Sequence, residues 1–118
     1  MRRGEIWTVA GGGDYTGKPR LAVVVQDDSF DATASVTVCA FTTDPTEAAL
    51  FRIPIEPTER NGLRSSCSLM VDKLTTIPKR KAGERVGRLD DEDVLRLNRA
   101  IMVLLGLAGS PRSQGRRA

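Results

Sequence analysis

Two short segments place side chains that can bind a phosphate at the ends of apolar strands. Arg20 stands between the Gly-rich stretch 11–19 and the apolar run Leu21–Val25, and Thr42 and Thr43 close the next apolar run. A guanidinium offers a planar fork of donors that matches phosphate oxygens, and a hydroxyl adds a further hydrogen bond. The pattern indicates an anion or phosphate site, although Arg20 alone is also typical of a solvated charge at a strand entry.

The composition narrows the chemistry that such a site could perform. The chain has 118 residues and no histidine, which excludes His-based acid–base catalysis and His-containing zinc sites. Cys39 and Cys67 fall within predicted strands without the spacing of metal ligands, so we interpret them as small apolar residues. Proton transfer would depend on carboxylates, lysine, tyrosine, hydroxyls or water, and we expect no metal and no cofactor.

Net charge gives no independent argument for a nucleic-acid partner. The formal charge is +3, but segment 109–118 contains three arginines and no acid, and without it the basic and acidic residues are equal at 15 each. We predict one domain over 1–108 and a disordered, Arg-rich tail over 109–118. No apolar run reaches the ~18 residues of a membrane span, and MRRGEIW lacks the apolar core of a signal peptide. We therefore expect a cytoplasmic protein with no membrane partner.

Short apolar runs separated by turn residues predict a small, mostly antiparallel sheet. The expected strands are 4–10, 21–25, 35–42, 51–55, 67–72, 74–77 and 85–89. The run Leu21–Val25 is continuously apolar, which is typical of a central strand covered on both faces. Pro54 assigns its strand to a sheet edge, because proline cannot donate to the ladder. The pair Asn61–Gly62 is a strong turn signal.

The segment after residue 89 has the pattern of an amphipathic helix. Asp90 is the predicted N-cap, and the acids Asp91–Asp93 occupy the first turn, where the helix dipole favours them. The apolar residues at helical spacing on one face are Val94, Leu97, Ile101, Leu104 and Leu105. We expect this face to dock on the sheet and Gly106 to occupy the C′ position. Strands followed by one helix predict an α+β fold with a partly closed barrel.

Seven ordered segments, which together cover almost the whole chain apart from its tail, resemble a known family. They are RRGEIWTV at 2–9, GGGDYTGKPR at 11–20, LAVVVQDD at 21–28, SVTVCAFTT at 35–43, LFRIPIEP at 50–57, NGLRSSCSLMVDKLTTI at 61–77 and VGRLDDEDVLRLNRAIMVLLGLA at 86–108. The resemblance is to the MazF/PemK (Kid) toxins of bacterial type II toxin–antitoxin systems. It implies a small SH3-like, mostly antiparallel β-barrel with a C-terminal α-helix, assembled as a homodimer.

The same resemblance implies an activity and its partners. It implies an endoribonuclease that cleaves single-stranded RNA at short specific sequences without a metal. The attacking group would be the RNA's own 2′-hydroxyl, which leaves a 2′,3′-cyclic phosphate and a 5′-hydroxyl. A cognate antitoxin protein would inhibit the toxin by occupying the RNA groove.

The resemblance also assigns catalytic roles to individual positions. The family's arginine after the first loop corresponds to Arg20, although Leu21 stands where the family usually has proline. The hydroxyl that closes the third strand corresponds to Thr42, with Thr43 as the alternative if the register shifts by one residue. Some members use an acid in the first loop, for which Asp14 is the nearest candidate.

Attack by a 2′-oxygen builds negative charge on a phosphorane, which Arg20 would stabilise. Thr42 would position the phosphate or the 2′-hydroxyl rather than take a proton, because a hydroxyl is a poor base unaided. Its alternative role is to cap the local backbone. The candidates for RNA binding are Tyr15, Lys18, Arg64, Lys73 and Arg52. Tyr15 could stack on an unstacked base and the cations could contact phosphates, but each is also typical of a solvated surface.

Two other functions are compatible with the sequence. One is a non-enzymatic toxin that inhibits DNA gyrase by binding it, since a toxin group with a similar fold does so. That group uses its C-terminal end, which the Arg-rich tail of this chain does not resemble. The other is a plain SH3-like interaction module. The combination of Arg20 and Thr42 favours RNA cleavage over both.

Overall fold

Six strands and one α-helix make up the part of the chain that the computed structural model describes, residues 1–10, 19–44 and 51–108. The strands are β1 (Glu5–Val9), β2 (Arg20–Val24), β3 (Ser35–Thr42), β4 (Arg52–Ile55), β5 (Cys67–Pro78) and β6 (Ala82–Arg88). The helix α1 spans Asp91–Leu104, and short 3₁₀ turns lie at Asp28–Phe30 and Lys79–Lys81. In the described residues, no helix is long and apolar enough to cross a membrane.

The strands form one antiparallel sheet in the order β4–β5–β3–β2–β1–β6. The sheet does not close, since β4 and β6 are its two edges. The expected α+β, barrel-like fold is confirmed, and so is the edge position predicted from Pro54. The segments predicted at 67–72 and 74–77 form one continuous strand, β5, which pairs with β3 and with β4.

Apolar residues on the two faces of the sheet form separate cores. Val23 and Cys39 belong to one core, which also contains Leu97 of the helix. Ala22 and Val24 belong to the other. These four strand residues are at most 1% exposed, so the prediction that β2 is covered on both faces is confirmed. Burying each of the two valines contributes roughly 1.5–3 kcal/mol. This burial holds β2 and β3 in place, and both strands lead to the site described below.

The helix docks over only part of the predicted face. Leu97 is 1% exposed, and Val94 and Ile101 pack against the same core. Leu104 and Leu105 are 36% and 57% exposed, so the prediction that they dock on the sheet is wrong. The residues of α1 that pack against this core end at Ile101, before the last turn of the helix.

The ends of the helix follow the predicted capping positions, with one difference. Gly106 has φ +76°, and the backbone N–H groups of Gly106 and Leu107 donate to the carbonyls of Val103 and Met102. This is a Schellman motif, which satisfies two of the last carbonyls. Asp90 is the N-cap residue, but its side chain makes no capping hydrogen bond. It instead accepts a hydrogen bond from the hydroxyl of Thr58 at 3.3 Å.

Candidate functional site

A cavity of about 740 Å³ opens where β2 begins and β3 ends. Its lining comes from residues 19–21, residues 41–44, residues 62–65 with Cys67, and Val86. Three apolar side chains, Leu21, Phe41 and Leu63, lie among these segments. The cavity is therefore built from four parts of the chain that are distant in sequence, and it combines apolar surface with hydroxyls and cations.

Strand pairing brings Arg20 and Thr42 together. The antiparallel register of β2 and β3 aligns Ala22 with Ala40 and Val23 with Cys39. Arg20 and Thr42 each lie two residues beyond the Ala22–Ala40 pair, toward the same end of the two strands. Both residues line the cavity, and Arg20 is exposed there.

The hydroxyl of Thr42 is oriented by the backbone that follows it. The N–H of Asp44 donates to Thr42 Oγ1 at 3.0 Å. The local backbone cap considered from the sequence is therefore present. It does not compete with a role in the cavity, because a hydroxyl that accepts one hydrogen bond still has its own hydrogen to donate. Because the Thr42 oxygen already accepts a hydrogen bond from an amide, its hydroxyl is better suited to donate a hydrogen bond to a phosphate oxygen than to act as a base.

Arg64 is the second cation of the cavity, and it comes from the loop between β4 and β5. It is exposed, and its neighbours Leu63 and Ser65 line the same cavity. Sequence reasoning identified Arg64 but missed Ser65 and Asp44. The signal for Asp44 was its position directly after Thr42 and Thr43, which also line the cavity.

Arg52 and Lys73 lie elsewhere on the sheet. Arg52 on β4 forms an ion pair with Asp72 on β5, and its side chain is 15% exposed. Lys73 is exposed on β5, one residue after Asp72. Among the described residues, neither lines the cavity. The structure therefore does not bring these two cations to Arg20 and Thr42. Asp14, Tyr15 and Lys18 lie outside the described residues, as does the predicted tail 109–118.

The two thiols have environments that keep them protonated. Burial raises the pKa of the Cys39 thiol to about 12, and the negative charge of Asp72 adds to this effect. Burial also raises the pKa of Cys67, with a contribution from Glu56. A thiol is nucleophilic only as a thiolate, so Cys67 contributes apolar surface to the cavity rather than an attacking group. In the described ranges, no three His, Cys, Asp or Glu side chains are grouped to hold a metal ion.

A family model described as the PemK-like, MazF-like toxin of type II toxin-antitoxin system matches residues 2–105. The chain belongs to this family. It is also 57% identical over 109 residues to a "Probable endoribonuclease MazF" of Mycolicibacterium smegmatis (strain ATCC 700084 / mc(2)155). That match covers 92% of this chain and 100% of the relative.

Solved structures have the same fold at lower identity. An endoribonuclease in complex with its cognate antitoxin, from Mycobacterial species, is 19% identical with a TM-score of 0.77, covering 93% of this chain and 99% of that one. The Mycobacterium tuberculosis toxin MazF-mt6 is 22% identical with a TM-score of 0.73, covering 89% and 99%. A MazE-MazF structure from Deinococcus radiodurans is 16% identical with a TM-score of 0.74, covering 92% and 98%.

Proposed function

We propose that this chain is a toxin endoribonuclease that cleaves single-stranded RNA in the cavity lined by Arg20 and Thr42. Family membership and the 57% identity to a relative named as an endoribonuclease support the activity. The observation that carries the choice of site is the common cavity of a guanidinium and a hydroxyl from two paired strands. The combination suits a phosphate diester, which needs positive charge and hydrogen-bond donors on its oxygens.

In the proposed reaction the nucleophile belongs to the substrate. The 2′-oxygen forms a bond to the adjacent phosphorus, and the bond from phosphorus to the 5′-oxygen breaks. The 2′-hydroxyl loses one proton and the leaving 5′-oxygen gains one, so the products are a 2′,3′-cyclic phosphate and a 5′-hydroxyl. The step requires no metal, because the attacking group is already beside the phosphorus and a cation of the protein can meet the developing charge.

Arg20 has the larger role in this reaction. The non-bridging phosphate oxygens gain negative charge as the fifth bond forms, and a guanidinium held in place stabilises that charge without reorganisation. Thr42 donates its hydroxyl hydrogen to one of these oxygens and thereby orients the phosphate. Thr43, beside it in the cavity, and Asp14 in the first loop are further candidates for positioning the substrate.

The rest of the cavity suits an unpaired nucleotide. RNA-binding proteins that read sequence take up unstacked bases and hydrogen-bond their edges. Leu21, Phe41 and Leu63 offer apolar surface for a base, and Arg64 offers a cation for the next phosphate. Tyr15 and Lys18, which fall between β1 and β2 in the sequence, and Lys73 on β5 are the other proposed RNA contacts, whereas Arg52 is paired with Asp72.

The proposal includes two protein partners. One is a second copy of the chain, and the exposed apolar side chains at the end of α1, Leu105 at 57% and Leu107 at 73%, are of the kind that a subunit interface covers. The other is a cognate antitoxin that blocks the RNA groove. A solved structure with this fold is an endoribonuclease in complex with its cognate antitoxin, which supports that partner. The toxin would act on messenger RNA in the cytoplasm and inhibit growth.

Cleavage of a defined single-stranded RNA in EDTA tests the proposal. We expect discrete fragments with cyclic-phosphate and 5′-hydroxyl ends, and no cut where the 2′-hydroxyl is replaced by hydrogen. Arg20→Ala should reduce the single-turnover rate about 100- to 1,000-fold, as the loss of one preorganised donor does, while the protein stays folded. Arg2→Ala is the matched control, because Arg2 pairs with Asp28 at the other end of β2, and it should cleave like the wild type.

Other outcomes would contradict the proposal in different ways. Equal cleavage by the wild type and Arg20→Ala removes Arg20 from the mechanism. Cleavage that EDTA abolishes means that a metal is required. Wild-type protein that cuts no RNA but inhibits supercoiling by DNA gyrase belongs to the non-enzymatic alternative.

A further inference from the structure

We propose that Asn61 is a positioning residue for RNA cleavage, because it fixes the loop that supplies Arg64 and Ser65 to the cavity. The inference rests on the function proposed above and goes beyond it by adding a residue that does not touch the substrate. The loop spans residues 56–66, between β4 and β5. Its residues 62–65 line the same cavity as Arg20 and Thr42.

The Asn61 side chain holds the loop together from inside. It is wholly buried, and it is the one buried polar residue among those the structure describes. Its Oδ1 accepts hydrogen bonds from the backbone N–H groups of Thr58 and Leu63, both at 2.9 Å. Its Nδ2 donates to the carbonyl of Glu56 at 2.8 Å. Three of the four hydrogen-bonding positions of the carboxamide are thus committed to the backbone of its own loop.

The loop also packs directly against strand β6, with close backbone contacts. Gly62 has φ +70°, and a Cβ built there would overlap the carbonyl oxygen of Val86. A Cβ built on Gly87 would overlap the carbonyl oxygen of Asn61. The N–H of Arg88 donates to the carbonyl of Arg60 at 3.0 Å. Two glycines therefore permit a close contact of the loop with β6, and Asn61 is the residue at its centre.

The packing of the loop against β6 determines where the cavity residues Arg64 and Ser65 lie. The N–H of Leu63 is held by Asn61, and the Leu63 side chain is 7% exposed in the core. Arg64 and Ser65 follow directly and are exposed in the cavity. Without the carboxamide, two backbone N–H groups and one carbonyl lose their partners, and the backbone that carries Arg64 can shift. A displacement of about 1 Å in a positioning group costs about 100-fold in rate.

A purely structural role is the competing explanation, so the test needs a control that loses side-chain hydrogen bonds to the backbone away from the cavity. Gln26 provides it, since its side chain also joins two backbone groups: it accepts from the N–H of Thr37 at 3.1 Å and donates to the carbonyl of Phe30 at 3.3 Å. Gln26 lies two residues beyond the end of β2 that is opposite to Arg20, and it does not line the cavity. Gln26→Ala should therefore lower stability without changing the site.

The experiment compares Asn61→Ala, Asn61→Asp, Gln26→Ala and the wild type on one defined RNA, at a temperature where all four are folded. Melting temperature, kcat, KM and the positions of the cuts are measured. We expect Asn61→Ala to lose about 100-fold in kcat and to cut at additional sites. Asn61→Asp keeps both acceptor contacts but replaces the donor with a buried carboxyl oxygen that faces the Glu56 carbonyl, so it should lose at least about 10-fold. Gln26→Ala should match the wild type in kcat and in cut positions.

Three results would overturn the inference. A folded Asn61→Ala that cleaves at the wild-type rate and sites means that the loop needs no such support. An equal fall in kcat for Gln26→Ala means that loss of stability alone is responsible. Should Asn61→Ala not fold, Asn61→Asp decides, and wild-type kinetics for that variant reject the inference. In each of these results the wild type still cleaves RNA, whereas a wild type that cuts nothing rejects the proposed function itself.

Discussion

Strands β2 and β3 gather polar groups at both ends, but the two ends use these groups differently. At the end near the first residue, Asp31 lies 3.4 Å from the amino group of Met1 and 3.5 Å from Lys79 Nζ. At the other end, Arg20 and Thr42 line a cavity of about 740 Å³. The first set of charges forms ion pairs within the chain, and the second set lines a space that a ligand can enter.

The difference teaches that residue type alone does not identify a site. The same distinction separates two arginines on neighbouring parts of the fold. Arg52 pairs with Asp72 across β4 and β5, and its side chain is 15% exposed. Arg64 is exposed in the cavity. The sequence presents both as candidate phosphate contacts, and only the pairing across the sheet tells them apart.

The largest expected difference between the two ends comes from substitutions of two threonines of β3. Thr42→Val removes the hydroxyl at the cavity end and should lower the cleavage rate about 100-fold, as for one lost donor at the transition state. Thr42→Ser should retain most activity. Thr37→Val removes a hydroxyl at the other end, where Thr37 Oγ1 lies 2.7 Å from Thr76 Oγ1, and should cost about 1 kcal/mol of unfolding free energy without a change in rate.

Single-turnover cleavage and thermal melting of the three variants check this prediction. If Thr42→Val cleaved as fast as Thr37→Val, the two ends of β3 would be equivalent for catalysis, and the assignment of Thr42 would fail. A slow Thr42→Ser would show that the methyl group is needed as well as the hydroxyl.

Replacing Arg64 or Arg52 should have a smaller effect, on RNA binding in the first case and on stability in the second. Arg64→Ala should weaken RNA binding and reduce the salt slope by about 0.7, the value for one phosphate contact to a single strand, with unchanged stability. Arg52→Ala should leave the exposed Asp72 without its cation and cost about 1 kcal/mol of unfolding free energy. Its salt slope should equal that of the wild type.

Binding titrations on an uncleavable 2′-deoxy-substituted RNA at several salt concentrations, together with denaturant melts, measure both quantities. A reduced salt slope for Arg52→Ala would assign Arg52 to RNA binding after all. A large loss of stability for Arg64→Ala would make it a structural residue.

Much of the fold was predictable because its signals are local. The bounds of β3 follow from alternation between Ser35 and Thr42, the sheet edge follows from Pro54, and the helix end follows from Gly106. Arg20 and Thr42 were identified by their positions at strand ends and by the family resemblance, and the strand register brings them together.

The parts that could not be predicted depend on contacts between distant segments. Leu105 has the spacing of a core residue, but its burial depends on how the helix lies on the sheet, and the helix residues that pack against the core end at Ile101. The position of the loop that supplies Arg64 and Ser65 to the cavity depends on the close contact between Asn61 and Gly87, which are 26 residues apart in the sequence. The role of Arg52 depends on Asp72, 20 residues away. No local pattern in the sequence records such contacts.

The smallest predicted effect concerns Asp31, at the end of β2 and β3 opposite to the cavity, and it depends on pH. The amino group of Met1, and then Lys79, hold the pKa of Asp31 below its ordinary value. A carboxyl with a lowered pKa in the folded state stabilises the protein above the unfolded value of about 3.9, and this stabilisation is lost as the pH falls through the folded value. Asp31→Asn should therefore melt lower than the wild type at neutral pH, by an amount that shrinks in acid.

Melting curves of both proteins between about pH 2 and pH 7 measure this difference, which isolates Asp31 because the other carboxyls are common to the two. The effect should be small, since the Asp31 side chain is 44% exposed and solvent screens its charge. Cleavage at neutral pH should be unchanged, because this cluster lies at the opposite end of β2 and β3 from the cavity. A difference that stays constant down to the lowest pH would mean that Asp31 acts through hydrogen bonds to its neutral form rather than through its charge.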